Sequence, residues 1–135
     1  IGYRGLKNAD EVIAGALLAS TLDGDCGPCA QLVIDMWIDA GVSSEKLRTC
    51  ADGYSELAGD VGLGYRFAVA AIAGDLETDR MAQEITKKFG RKGLVAVAYA
   101  SASGRFYPVF KRSLGHGATR SRLRFGKQEE LVLNE

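Results

Sequence analysis

Two cysteines close together in the sequence are the residues best suited to chemistry. They stand in the run Cys26-Gly27-Pro28-Cys29. The thiolate is the reactive form of cysteine, and a helix N-terminus lowers a thiol pKa through its unpaired N–H groups and its positive dipole end. Proline is tolerated in the first turn of a helix, so the pattern predicts a helix that starts at this pair. We therefore expect one thiolate to attack an oxidised substrate and the other cysteine to resolve the intermediate into a disulfide.

The cysteine pair also has less reactive interpretations. Free cysteines are often small buried hydrophobic residues, so the pair can be structural. A zinc site formed by Cys26, Cys29, Cys50 and His116 has suitable ligand types, but Cys50 and His116 stand singly instead of as a second close pair. The same four-residue run occurs in thioredoxin, whose fold places a strand before it. Here residues 9–20 are alanine-rich with a helical pattern, which argues against that fold.

The composition restricts the function classes further. The chain has 135 residues, a length that suits one domain, and its 17 basic and 17 acidic residues cancel, which argues against a nucleic-acid binder. The single histidine excludes a two-histidine metal site, and we expect no metal or cofactor. The three cysteines do not form a secreted disulfide scaffold. The apolar run 12–22 is too short to span a bilayer, so we expect a soluble, cytoplasmic protein with no membrane partner.

Hydrophobic periodicity predicts a series of helices joined by glycine turns, and hence an all-α fold. The predicted helices cover about 9–21, 27–40, 44–52, 55–73, 78–89 and 93–110. A strand is the rival prediction for 94–99 because of its valines. In the second helix the expected core-facing stripe comprises Leu32, Val33, Met36 and Trp37. In the third helix the expected core residues are Leu47, Cys50 and Ala51, and in the fifth they are Met81, Ile85 and Phe89. Near the end, the apolar run at 131–133 predicts a short strand or a docking arm.

The order and spacing of several motifs match a known family. They are Cys26-Gly27-Pro28-Cys29, the segment 35–41 with its turn Ala40-Gly41-Val42, the segments 63–68 and 89–95, and the segment 98–114 with Arg105, Tyr107-Pro108 and Lys111-Arg112. Over most of 9–115 the chain resembles the carboxymuconolactone decarboxylase family, specifically its alkyl hydroperoxidase D (AhpD)-like branch. The resemblance implies an orthogonal helical bundle as a single domain over 1–117, a C-terminal arm over 118–135, and homo-oligomers.

The resemblance also implies roles for the two cysteines. Redox-active relatives reduce hydroperoxides with thiols, and by analogy Cys29 attacks and Cys26 resolves. In those relatives a proton relay uses a histidine four positions after the second cysteine and a glutamate twelve positions before the first. Val33 and Ala14 occupy these positions here, and neither can carry a proton. Acid–base help is typically worth roughly 10²–10⁴-fold in rate, so we expect weak peroxidase activity or the use of other groups.

Three residues are candidates for such auxiliary groups: Tyr65, Arg66 and His116. Each also has an ordinary interpretation. Tyr65 and Arg66 lie off the expected core stripe of their helix, where residues are usually solvated or at a subunit contact. His116 lies between two glycines in a predicted loop, where histidines are usually surface residues.

These observations lead to three functional hypotheses. The first is a thiol-dependent oxidoreductase that acts on a small-molecule peroxide or disulfide and is regenerated by a thiol reductant. The second is a lactone decarboxylase of the family's founding kind, whose members do not depend on a cysteine pair. The third is a non-enzymatic oligomeric protein in which the cysteine pair is structural. We favour the first because the spacing and the helix start both suit thiol chemistry.

Overall fold

The structure, a computed structural model, describes residues 9–115, 122–126 and 130–132. Its helices are α1 (Asp10–Asp23), α2 (Gly27–Asp39), α3 (Ser44–Ala51), α4 (Gly59–Ala73), α5 (Glu77–Ser103) and α6 (Phe106–Ser113). A 3-10 turn at Ser55–Leu57 precedes α4, and a hairpin of two short strands, β1 (Arg122–Arg124) and β2 (Glu130–Val132), follows α6. The prediction of an all-α fold is confirmed, with this hairpin as the β structure of the described residues.

Helix α1 is the centre of the fold and is buried on almost every side. It packs against α4 and α5 and also contacts α2. Glycines permit the closest of these contacts: a Cβ on Gly15 would lie 1.8 Å from the carbonyl oxygen of Val61, and one on Gly64 would lie 1.9 Å from that of Val12. The α1 and α4 backbones therefore touch directly, and this crossing fixes the point from which α1 leads to the cysteines.

Helix α2 directs only Val33 and Trp37 of its predicted stripe to the core. Its core side chains are Ala30, Ile34 and Trp37, at helical spacing i, i+4, i+7. Trp37 was expected there, but Leu32 is 70% exposed and Met36 is 39% exposed, so this part of the predicted stripe is wrong. Apolar residues occupy two faces of α2, and the sequence pattern does not say which face meets α1.

The segment predicted as one helix over 93–110 is instead divided. Helix α5 continues through 94–99, which excludes the rival strand, and it is kinked at Gly90, whose φ of 77° is not helical. The chain then breaks at Gly104, where a Cβ would lie 1.9 Å from the Oγ of Ser20. A separate helix, α6, follows, and Pro108 lies in its first turn, where a proline breaks no hydrogen bond.

The remaining helices agree with the predicted pattern more closely. Met81 and Ile85 on α5 are buried and Phe89 packs against the core, as do Leu47 and Cys50 on α3. The fourth helix begins later than predicted, because 55–57 forms the 3-10 turn. None of the described helices, including the 27-residue α5, has an apolar stretch long enough to cross a membrane.

The C-terminal hairpin docks on α2. Leu123 pairs with Leu131 across the two strands, and the side chains of Leu123 and Phe125 are fully buried in the common core. The side-chain amide of Gln31 bonds to both backbone groups of Arg124, with its Nε2 2.9 Å from the carbonyl oxygen and its Oε1 2.6 Å from the nitrogen. The predicted C-terminal arm is thus partly strand and partly docked, and its residues 118–121, 127–129 and 133–135 lie outside the described residues.

Candidate functional site

The two cysteines of the motif are joined at the start of α2. Their Sγ atoms form a disulfide, and their Cα atoms are 5.3 Å apart. Cys26 is the residue that caps the helix: its Sγ accepts a hydrogen bond from the backbone N–H of Cys29 at 3.3 Å, and its carbonyl oxygen accepts one from Ala30 at 3.0 Å. The predicted placement of the pair at a helix start is therefore what the structure has, with Pro28 as the second helical residue.

The two sulfur-bearing residues differ in their accessibility. Cys26 is only 7% exposed, whereas Cys29 is half-buried and Pro28 between them is exposed. On the same helix, Leu32 and Met36 are three and seven positions after Cys29, on the face that Cys29 begins. A partner that reaches the Cys29 sulfur therefore meets exposed apolar side chains beside it.

The turn that leads into the pair carries charges that partly cancel. A carboxylate such as that of Asp23 disfavours a nearby thiolate, but its Oδ2 lies 3.0 Å from the Nε of Arg105, so its charge is paired. Asp25 is exposed. The Nη2 of Arg112 donates a hydrogen bond to the carbonyl oxygen of Gly24. The acidic turn before Cys26 is thus covered by two cations from the α6 region.

The auxiliary candidates on α4 have different surroundings. Arg66 donates a hydrogen bond of 2.7 Å from its Nη1 to the carbonyl oxygen of Ser55, which ties α4 to the preceding 3-10 turn. Tyr65 is half-buried; burial raises the pKa of its hydroxyl, and the charges of Cys50 and Asp23 raise it further. Of the two residues, Tyr65 is therefore the one whose electrostatic surroundings include the turn before the cysteine pair.

The other predicted positions contribute no proton carrier. Ala14 on α1 is fully buried, and Val33 on α2 packs against the hydrophobic core, so both positions of the family's relay are apolar in the fold as well as in the sequence. His116 lies outside the described residues. The relay of the resembled family therefore has no counterpart at these two positions.

Cys50 is separate from the motif cysteines. It is a free, fully buried thiol on α3. Burial raises its pKa to about 12, against a lowering effect of Arg66 and a further raising effect of Glu56. Within the described residues, no three His, Cys, Asp or Glu side chains group as a metal site. In the proposed zinc set, Cys26 and Cys29 bond to each other instead of offering two thiolates.

Sequence reasoning missed the contacts that other segments make with this site. Arg105 and Arg112 reach the turn before Cys26, and Gln31 fixes the hairpin to α2 only two residues after Cys29. Gly104 and Pro108 within one predicted helix were a signal for a break there. No feature of the sequence signals which turn the separate helix would contact.

A shallow groove lies beside α6 and the end of α5. It encloses about 610 Å³ and is lined mainly by Tyr99, Ala102, Phe106, Val109 and Phe110. The rings of Phe106 and Phe110 are stacked with their centroids 5.8 Å apart, yet both side chains are more than half exposed. This groove is an apolar surface that the described part of the chain leaves uncovered.

Comparison of this chain with protein-family models, with curated proteins and with solved structures gives no match. The fold and the site define an all-α protein with a disulfide at the start of its second helix. A narrower assignment rests on the chemistry of the pair.

Proposed function

We propose that the protein is a thiol-dependent oxidoreductase that uses Cys29 as the attacking thiol and Cys26 as the resolving one. The observation that carries the proposal is the disulfide at a helix start, with one sulfur-bearing residue half-buried and the other almost fully buried. A helix N-terminus favours the thiolate, and a neighbouring cysteine makes release of the substrate intramolecular. The substrate is a small-molecule disulfide or peroxide, and a thiol reductant regenerates the pair.

With a disulfide substrate, each step is one thiol exchange. The Cys29 thiolate attacks one sulfur, a mixed disulfide forms, and the other substrate sulfur leaves as a thiolate. The Cys26 thiol then loses its proton, and the thiolate attacks the Cys29 sulfur, so the substrate's second sulfur also leaves as a thiolate. Both leaving thiolates take up a proton and become thiols. The substrate gains two electrons and two protons, and an external dithiol returns both to the cysteine pair.

With a hydroperoxide, the Cys29 thiolate attacks the terminal oxygen and the O–O bond breaks. The products are a Cys29 sulfenic acid and an alkoxide, which takes up a proton to become the alcohol. Cys26 then attacks that sulfur, and water leaves as the disulfide forms. The leaving alkoxide needs a proton, and Ala14 and Val33 supply none. We therefore expect peroxide reduction to be slower than disulfide exchange.

Single-serine variants test the roles of the two cysteines. Reduced Cys26→Ser protein, mixed with an excess of a small aromatic disulfide, should accumulate a mixed disulfide on Cys29, detected as a mass increase. Reduced Cys29→Ser protein should react more slowly, because Cys26 is almost fully buried. A Cys50→Ala variant is the matched control and should cycle like the unmodified protein. If the Cys29→Ser protein forms its mixed disulfide faster than the Cys26→Ser protein, Cys26 is the attacking thiol and the proposed roles are reversed.

Two other results would favour the competing hypotheses. If excess dithiothreitol does not reduce the native pair, or if the reduced thiols have a pKa near the unperturbed ~8.5 and do not exchange, the pair is structural. If the Cys26→Ser, Cys29→Ser double variant turns over a carboxymuconolactone, the protein is a lactone decarboxylase.

Light scattering on the same preparations measures the oligomeric state. We expect a homo-oligomer, which the exposed aromatic residues of the groove support.

A further inference from the structure

We infer that α6 and the residue before it, Arg105, position the cysteine pair. The side chains of Arg105, Pro108 and Arg112 hold the turn that places Cys26 next to Cys29. The inference rests on the proposed function, because it concerns the redox equilibrium of this pair. The turn comprises the last residue of α1, Asp23, together with Gly24 and Asp25, and it leads directly to Cys26.

Three contacts join the α6 region to this short turn. The Nε of Arg105 lies 3.0 Å from the Oδ2 of Asp23, and the guanidinium of Arg112 donates to the carbonyl oxygen of Gly24. Pro108, which is fully buried, packs on Gly24 so closely that a Cβ there would lie 2.5 Å from the proline Cβ. Asp23 is thus held by an ion pair, and Gly24 is held by a hydrogen bond and a steric contact.

The backbone of the turn shows that it needs such contacts. Asp25 has a φ of 57°, and among the described residues it is the one non-glycine with a positive φ. This left-handed conformation is unfavourable for residues with a Cβ and persists where the surroundings hold it. Its N–H donates to the carbonyl oxygen of Leu22 at 2.9 Å, and the next residue is Cys26. A change in this turn therefore changes the position of Cys26 directly.

The contacts with α6 should favour the disulfide over the dithiol. In the oxidised protein the S–S bond itself holds Cys26 near Cys29. In the reduced protein only the surrounding contacts do so, and they raise the effective concentration of one thiol at the other. Loss of a contact gives the reduced turn more freedom and leaves the oxidised turn almost unchanged. The equilibrium then shifts toward the dithiol.

The experiment measures the equilibrium of the full-length protein with glutathione redox buffers. We expect Arg112→Gln to lower the equilibrium constant for disulfide formation about 3- to 10-fold, a fraction of the effect of one charged hydrogen bond. Arg105→Gln should shift it in the same direction by less, because that ion pair is nearly half exposed. Arg112→Lys keeps a donor and should restore most of the constant. Lys111→Gln is the matched control on the same helix and should match the unmodified protein.

The outcomes separate this inference from the proposed function. If the unmodified pair cycles, and Arg112→Gln stays within about twofold of Lys111→Gln, α6 does not position the pair and the proposed function stands. A lower unfolding temperature of both redox forms with an unchanged redox constant shows a structural role only and overturns the inference too. If the unmodified pair does not cycle with any thiol, the proposed function itself fails.

Discussion

The buried thiol of Cys50 gives the sharpest test of the electrostatics. Burial raises its pKa from the ordinary 9.0 to about 12. At a pH below both values, a shift of three units means a thiolate fraction about a thousandfold smaller than that of an exposed cysteine. Iodoacetamide should therefore leave Cys50 unmodified in the native oxidised protein and alkylate it after unfolding. Mass spectrometry counts the alkyl groups added in each case.

The same shift makes stability depend on pH. The unfolded chain loses the Cys50 proton above about pH 9, while the folded protein keeps it to about pH 12, so the folded state binds more protons in between. Stability is then lost as pH rises through this range. Between about pH 8 and pH 10 we expect the free energy of unfolding to fall by about 1 kcal/mol from this residue.

Urea unfolding at both pH values measures the effect, with Cys50→Ala as the reference that lacks the thiol. The difference between the two proteins is the informative quantity, because other groups titrate in both. Tyr65 also has a raised pKa, which is why the test stops near pH 10. An equal loss of stability in the two proteins, or rapid native alkylation of Cys50, would refute the reasoning.

Further predictions concern packing and the hairpin. Phe125 is fully buried, so Phe125→Ala should cost about 3–5 kcal/mol in urea unfolding, and a loss under about 1 kcal/mol contradicts its place in the core. Gly64→Ala would place a Cβ 1.9 Å from the Val12 carbonyl oxygen, so we expect a loss of about 3 kcal/mol or more by thermal denaturation; an unchanged melting temperature contradicts the close crossing. Gln31→Ala removes both bonds to Arg124 and should cost about 1–2 kcal/mol, with faster hydrogen exchange in the hairpin; unchanged exchange contradicts the anchoring role.

Local patterns were enough to predict the helices whose apolar residues lie on one face. Met81, Ile85 and Phe89 are an example, since only one orientation buries all three. The pattern failed for α2, where Leu32 and Met36 compete with Ala30 and Ile34 for the core. The face that α2 buries depends on the position of α1, and that position depends on the close contacts of Gly15 and Gly64 between α1 and α4.

The candidate site also has a part that could be predicted from the sequence and a part that could not. The cysteine pair at a helix start could be predicted because spacing and a proline are local features. The hydrogen bond from Arg112 to Gly24 joins residues 88 positions apart, and the Gln31 contacts with Arg124 span 93. Such contacts depend on the whole path of the chain, so periodicity and motifs do not reveal them.

This difference in sequence separation also orders the events of folding. The two cysteines are three positions apart, so they can meet as soon as one helical turn forms. The hairpin must close a loop of more than ninety residues to reach Gln31, which costs more chain entropy and belongs to a late step. On a ribosome, the cysteines emerge long before Phe125 is synthesised. The pair can therefore meet an oxidant while its helix still lacks part of its covering, and the hairpin, which is synthesised later, completes the core around it.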